Sequence, residues 1–308
     1  LGLLFGLVCC CEGFFMDAHI PDNRVWVITG ASRGFGRELV RAALARGDCV
    51  VATSRNPEKV AADFDDAPDR LLAVPMDLRD SAQIMAMVDS AVGRFGRIDV
   101  LVNNAGHGLI GAVEEATDVE IANVFETNVF GLVRVTRAVL PHMRGRRSGC
   151  IVNLSSIGGL VGLPGFGIYN ATKFAVEGLS EALAKEVGPL GIRVMVVEPG
   201  PFRTDFLGGS LAVMGKVLPD YAHTAGQTRV AAESRNGAQP GDPVRAAEAI
   251  IRAVTSEEAP LHLVLGEGAY KLATEKLDLL RADMEKWKEL GLSTDYSKAS
   301  QAETLKAK

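Results

Sequence analysis

From Arg24 onward, short runs rich in β-branched residues alternate with longer segments whose apolar residues recur at helical intervals, and this alternation constrains the fold more than any other feature. Strand and helix in repeated order is the mark of βαβ units, whose crossovers make neighbouring strands run parallel. The strand candidates are residues 24–29, 49–53, 71–75, 100–103, 150–154, 193–197 and 261–265. Residues 36–46, 81–95, 118–143 and 168–187 carry the helical period. Together they predict a doubly wound α/β fold, a three-layer sandwich around a seven-stranded parallel sheet. Neither a Pro/Ser-rich linker nor an internal repeat divides the alternation, so residues 22–308 read as one domain.

Two stretches leave the pattern. Residues 202–242 make a long connection in which Phe202, Phe206, Leu207, Leu211, Met214, Leu218 and Tyr221 are mixed with glycines. Connections of that length are usually lids or binding segments, and this one reads as the substrate segment. Residues 270–308 keep a helical period to about Leu290 and then turn polar, which predicts a terminal amphipathic helix with a loose end. Before the domain, the apolar run 1–11 falls short of the ~20 residues of a spanning helix. It also lacks the basic start of a secretory signal, since the first Lys or Arg is Arg24. Residues 1–21 are therefore read as a disordered extension or a start-site artefact, with a membrane tether as the minor alternative.

Charge and cysteine usage narrow the function classes. Lys and Arg total 33 against 38 Asp and Glu, a net charge of −5, so no nucleic-acid partner is expected. Cys9, Cys10, Cys11, Cys49 and Cys150 do not form a disulfide framework, which suits a reducing, cytoplasmic location. No His or Cys cluster has zinc spacing, and no metal is expected.

The chemistry begins where the first strand runs into Gly30-Ala31-Ser32-Arg33-Gly34-Phe35-Gly36. A glycine-rich turn between the first strand and its helix lets backbone N–H groups approach a pyrophosphate, and this turn makes Gly30, Ser32, Arg33, Gly34, Phe35 and Gly36 cofactor candidates. The second strand ends in Ala52-Thr53-Ser54-Arg55, without the acid that would hold an NAD ribose. Arg55 and Arg33 can instead meet a 2′-phosphate, so NADP is preferred over NAD. Further on, Ser156 closes the fifth strand and Tyr169 follows thirteen residues later, with Lys173 at i+4 from the tyrosine. Tyr169 and Lys173 share a helix face with Cβ atoms ~5–6 Å apart, and a neighbouring ammonium favours the phenolate. Tyr169 thereby becomes a usable proton donor or acceptor.

These residues, with Asp77-Leu78, Asn103-Asn104-Ala105-Gly106, Asn128, Pro199-Gly200 and Thr204, resemble the classical short-chain dehydrogenase/reductase family over about residues 25–270. The resemblance implies a Rossmann-type fold with Tyr169 as general acid and base and Ser156 holding the carbonyl oxygen. Lys173 would bind the nicotinamide ribose, and Asn128 would position a water linking Lys173 to solvent. Asp77 and Leu78 are expected near the adenine, with Asn104, Ala105 and Gly106 near the adenosine half. Pro199, Gly200, Phe202 and Thr204 are expected near the carboxamide.

Ser54 and Arg55 belong to the same cofactor set. His107, Phe202 and Phe206 would line the substrate side with Ser156 and Tyr169, although His107 reads equally as a locally satisfied loop residue. Arg33 with Arg55 is similar to NADP-preferring members, and the segment after Glu198 is similar to 17β-hydroxysteroid and retinol dehydrogenases and to bacterial carbonyl reductases. The implied activity is NADP(H)-dependent interconversion of a small hydrophobic ketone or aldehyde with its alcohol, in a homodimer or homotetramer and without a membrane partner. The alternatives are a non-catalytic NADP-binding sensor on the same fold, or an epimerase or isomerase of the same family.

Overall fold

The computed structural model of the chain describes residues 23–296, and the expectations for residues 1–21 and for the polar end of the tail lie outside them. The first half contains β1 (Val25–Thr29), α1 (Gly34–Ala45), β2 (Cys49–Ser54), α2 (Pro57–Asp63), β3 (Leu71–Pro75), α3 (Ser81–Phe95) and β4 (Val100–Asn103). Then come β5 (Gly108–Ile110), α4 (Asp118–Phe125), α5 (Leu132–Arg146), β6 (Gly149–Leu154), α6 (Gly167–Val187) and β7 (Ile192–Pro199). The last part holds β8 (Leu211–Val213), α7 (Gln227–Arg235), α8 (Pro243–Thr255), β9 (His262–Leu265), α9 (Glu267–Lys286) and α10 (Lys288–Leu292).

Seven parallel strands in the order β3-β2-β1-β4-β6-β7-β9 make the main sheet, the doubly wound arrangement expected from the alternation. Successive side chains of a strand face opposite ways. Trp26, Ile28, Val50, Ala52, Val100, Val102 and Val152 accordingly pack with Leu39 of α1 and Ile250 of α8 on one side. Val27, Val51, Leu101 and Ile151 pack with Ile84 of α3, Val135 of α5 and Leu183 of α6 on the other. Burial on both faces is why these strands read as continuous apolar runs. A buried polar chain ties the middle of the sheet to its helices. Asn103 Nδ2 donates to Thr136 Oγ1 at 2.9 Å and to Asn153 Oδ1 at 2.8 Å, and Asn153 Nδ2 donates to Ser180 Oγ at 2.8 Å.

The structure departs from the sequence pattern in three places. Residues 118–143 are not one continuous α-helix, because the π-helical turn Glu126–Gly131 separates α4 from α5. Gly131 allows this path, since a Cβ there would stand 2.7 Å from Leu78 Cβ. The unpredicted helix α2 has a local signal, with Asn56 Oδ1 accepting from the Lys59 N–H at 3.3 Å and Pro57 in the first turn. Finally, segment 202–242 is structured. Its β8 pairs in parallel with β5, and α7 follows.

In the tail, α9 buries only Ala269 and Ala273, while Leu277, Leu280 and Met284 are exposed. No helix among the described residues is long and apolar enough to cross a membrane.

Candidate active site

Strand order reverses at β1, with β2 on one side and β4 on the other, and doubly wound sheets form a crevice outside the strand ends at such a point. The turn after β1 enters that crevice. Gly30 has φ +68°, and a Cβ there would lie 2.9 Å from the Ala105 Cα. At Gly36 a Cβ would lie 2.4 Å from the Gly30 carbonyl oxygen, so the turn closes only with glycine at both places. Asn104 Nδ2 locks it by donating to the Thr29 and Gly30 carbonyls at 2.8 and 3.1 Å. Arg33 caps α1 in extended backbone without a side-chain capping bond, and the first turn of α1 carries no acid. The N–H groups of that helix end are thus left for an anion.

A cavity of about 450 Å³ runs from this turn to α6. Gly30, Ser32, Arg33, Gly34 and Phe35 line one part, and Ser54, Arg55, Asp77 and Leu78 another. Asn104, Ala105, Gly106, His107, Ser156, Tyr169, Lys173, Pro199, Thr204 and Phe206 complete the predicted residues in its wall. Gly36, Asn128 and Gly200 lie behind the wall. Phe202 also stays out of it: its ring packs 5.2 Å from that of Phe35 and against Gly241, where a Cβ would come within 2.5 Å.

Two features of the cation end escaped the sequence pattern. Arg33 Nη2 donates to the Gly209 carbonyl at 3.0 Å, tying the glycine turn to segment 202–242. Arg79 also lines the cavity and grips Asp77 with Nε at 2.9 Å from Oδ1 and Nη2 at 2.6 Å from Oδ2. That fork, reinforced more weakly by Arg55, overcomes partial burial and holds the Asp77 carboxyl down to about 2. The signal for Arg79 was its place two residues after Asp77 in one turn.

At the other end, Ser156 accepts from the Gly158 N–H at 3.0 Å, which fixes its hydroxyl beside Tyr169. Tyr169 is buried between aromatic rings, with Phe206 at 5.4 Å and Phe166 at 6.0 Å. The expected lowering of its pKa by Lys173 is not what this environment produces. Burial pushes the phenol up to about 12 against the opposing pull of Ser156, so it stays protonated at neutral pH. Lys173 Nζ lies 5.8 Å from the Tyr169 ring centroid and donates to the Leu154 carbonyl at 2.7 Å. Burial lowers its ammonium to about 8, with Glu177 opposing. Asn128 faces inward from the π-helical turn, donating to the His107 carbonyl at 2.9 Å and to Thr172 Oγ1 at 3.1 Å. It also accepts from the His107 N–H at 3.0 Å.

A doubly wound sheet whose crevice joins an anion-binding glycine turn to a buried tyrosine and lysine defines a dinucleotide-binding protein with proton-transfer chemistry. The sequence profile of short chain dehydrogenases matches residues 24–212, and the chain belongs to that family as an oxidoreductase. It is 38% identical over 273 residues to oxidoreductase BOA17 of Botryotinia fuckeliana, covering 88% of this chain and 99% of that one. It is 39% identical over 246 residues to the 3-ketodihydrosphingosine reductase of Bacteroides thetaiotaomicron, covering 79% and 88%. The crystal structure of a short-chain dehydrogenase from Streptomyces avermitilis superposes with TM-score 0.83 and 45% identity, over 88% of this chain and all of that one. A Burkholderia phymatum relative in complex with NAD superposes with TM-score 0.74 and 25% identity, over 84% and 95%.

Proposed function

We propose that the protein is an NADP(H)-dependent oxidoreductase that interconverts a ketone or aldehyde with its alcohol, with Tyr169 as the general acid of reduction and the general base of oxidation. The main support is that Ser156, Tyr169 and Lys173 share one cavity with the glycine turn, so a cofactor held by the turn meets the proton donor. The free N–H groups at the start of α1 suit a pyrophosphate, and the small residues 30–36 leave it room. Arg33 and Arg55 would favour a 2′-phosphate, while Arg79 offsets the charge of Asp77. Asp77 and Leu78 would receive the adenine, Asn104 to Gly106 and Lys173 the riboses, and Pro199, Gly200 and Thr204 the carboxamide. When bound, the cofactor supplies the hydride.

The chain's own groups handle orientation and the proton. Ser156 would hold the carbonyl oxygen through its hydroxyl, and Tyr169, protonated by virtue of its burial, would deliver a proton to that oxygen as negative charge develops on it. The Lys173 ammonium would stabilise the phenolate left behind. His107 and Phe206 would wall the substrate side and keep water from the reacting centre. A hydrophobic carbonyl substrate is supported by these walls and by likeness to a relative named as a reductase of 3-ketodihydrosphingosine. Residues 22–308 would act as one domain, in a homo-oligomer and a reducing cytoplasm; Cys49 and Cys150 are both free.

The test is oxidation of NADPH and NADH against aromatic aldehydes, medium-chain ketones, a steroid ketone, retinal and a quinone. Tyr169→Phe is expected to keep nucleotide affinity and lose turnover by about 10²–10⁴-fold. A Phe variant that turns over normally refutes the role given to Tyr169.

A further inference from the structure

Behind the face of α6 that carries Tyr169 lies a second group of ionisable side chains, none of which lines the cavity. Glu177 follows Lys173 by one helical turn, is 5% exposed, and has neither carboxylate oxygen paired at hydrogen-bond distance. The Ser155 hydroxyl faces it across Gly159, where a Cβ would lie 2.5 Å from Ser155 Oγ and 2.8 Å from Glu177 Oε1. Glu198 enters from β7 with no exposed surface and with Oε2 unpaired. His262, on β9, completes the group, with Nδ1 2.7 Å from Glu198 Oε1 and 3.6 Å from Glu177 Oε2. Its side chain is 39% exposed, and Nε2 lies 3.9 Å from Glu181 Oε1 at the surface.

Two enclosed carboxylates facing one half-exposed imidazole cannot both ionise freely. Burial pushes Glu177 up to about 7; Glu198 adds to the rise, while Ser155, His262 and Lys173 pull the other way. Burial also raises Glu198, against its hydrogen bond from His262. The charge of Glu177 reaches Lys173 in turn, since a carboxylate one turn away favours the ammonium.

We propose that Glu177, Glu198 and His262 form a proton-exchanging support for Lys173: Glu177 alternates between carboxyl and carboxylate, its charge decides how firmly Lys173 stays an ammonium, and His262 carries the proton to and from solvent. In the forward step the O–H bond of the Glu177 carboxyl breaks, the proton passes by way of Glu198 and His262 to water, and a carboxylate remains facing Lys173. Protonation reverses the step, and nothing is oxidised or reduced. Glu177 is thus a positioning residue that acts through Lys173, and its kinetic effect rests on the role proposed for Lys173 above.

The test is pH-difference infrared spectroscopy on the full chain without cofactor, followed by kinetics. The wild type is expected to show a protonated-carboxyl band that disappears on raising the pH through neutrality and is missing in Glu177→Gln. His262→Asn keeps a donor for Glu198 but removes the cationic form, and is expected to move the midpoint to higher pH. In Glu177→Gln, kcat is expected to fall about tenfold with nucleotide KM unchanged, and the limb of the pH profile set by Lys173 to move down by about one pH unit; Glu177→Asp is expected to restore most of both. A band unchanged in Glu177→Gln, or a midpoint unmoved in His262→Asn, overturns the proposal. So does one-to-one binding of Zn²⁺ or Mn²⁺ that abolishes the band and is lost in Glu177→Gln, because a cation would then neutralise the carboxylates. The infrared result needs no turnover, so an active Tyr169→Phe would sink the reading of the reaction while leaving this proposal to the band.

Discussion

Segment 202–242 is held over the cavity by Glu115, and removing that carboxylate is expected to loosen the segment while sparing the sheet. Glu115 is 1% exposed, and its Oε1 accepts from the Leu218 N–H at 2.8 Å. Its Oε2 accepts from the Ala112 N–H at 2.7 Å and pairs with Arg229 of α7, whose side chain is 13% exposed. Burial works to raise Glu115, but the Leu218 and Ala112 N–H groups and then Arg229 outweigh it and hold the carboxyl below its usual range. Glu115→Ala strands a nearly buried guanidinium and two backbone donors, for which the cost of breaking a buried pair from one side, about 3–5 kcal/mol, is the appropriate scale.

If that cost falls on local opening, amide exchange in the segment accelerates by roughly 10²–10⁴-fold, at about 1.4 kcal/mol per decade. The amide to follow is Met214, which donates to the Ile110 carbonyl at 3.0 Å and loses no partner by the substitution itself. Hydrogen exchange is expected to quicken there and across 211–229, with β1 unchanged. Acceleration below tenfold, or equal acceleration in β1, would refute local pinning. Because the folded pKa is depressed, the stabilisation is present above the unfolded carboxylate value and lost as pH falls through the folded one, so acid should open the same segment in the wild type.

Other outcomes follow from the cavity. The double variant Arg33→Ala, Arg55→Ala is expected to weaken NADPH about ten- to a hundredfold and NADH hardly at all in fluorescence titrations, the scale of one lost charge-assisted contact; equal weakening of both would remove the cofactor preference. The Asp77 carboxyl, followed by NMR, should titrate at about 2 and rise toward 3.8 in Arg79→Ala. Its contribution to stability should be complete above the unfolded value and disappear as the pH falls toward 2; a midpoint insensitive to Arg79 would show that the fork does not form in solution.

Much of the fold was legible because its signals are local. Both faces of the sheet are covered, so strands such as Val100–Asn103 and Cys150–Leu154 stand out as unbroken apolar runs, and the helices between them carry their own period. The glycine turn and the Tyr169/Lys173 pair were visible for the same reason, each lying within one turn of backbone. Helix α2 was missed although Asn56-Pro57 announces it, because seven residues give too short a window for a period to show.

Sequence by itself determined the order of the elements, the parallel sheet and the family, since these follow from periodicities of two and 3.6 residues and from motifs a few residues long. Only the tertiary structure decided where the distant side chains meet. It turned Phe202 onto Phe35 and out of the cavity, tied Arg33 to Gly209, and raised the Tyr169 phenol by enclosing it. It also brought Glu198 and His262, 64 residues apart, within 2.7 Å of each other behind Lys173. Burial and charge depend on which segments pack together, and that packing is set by long-range strand register and helix docking that no local window contains.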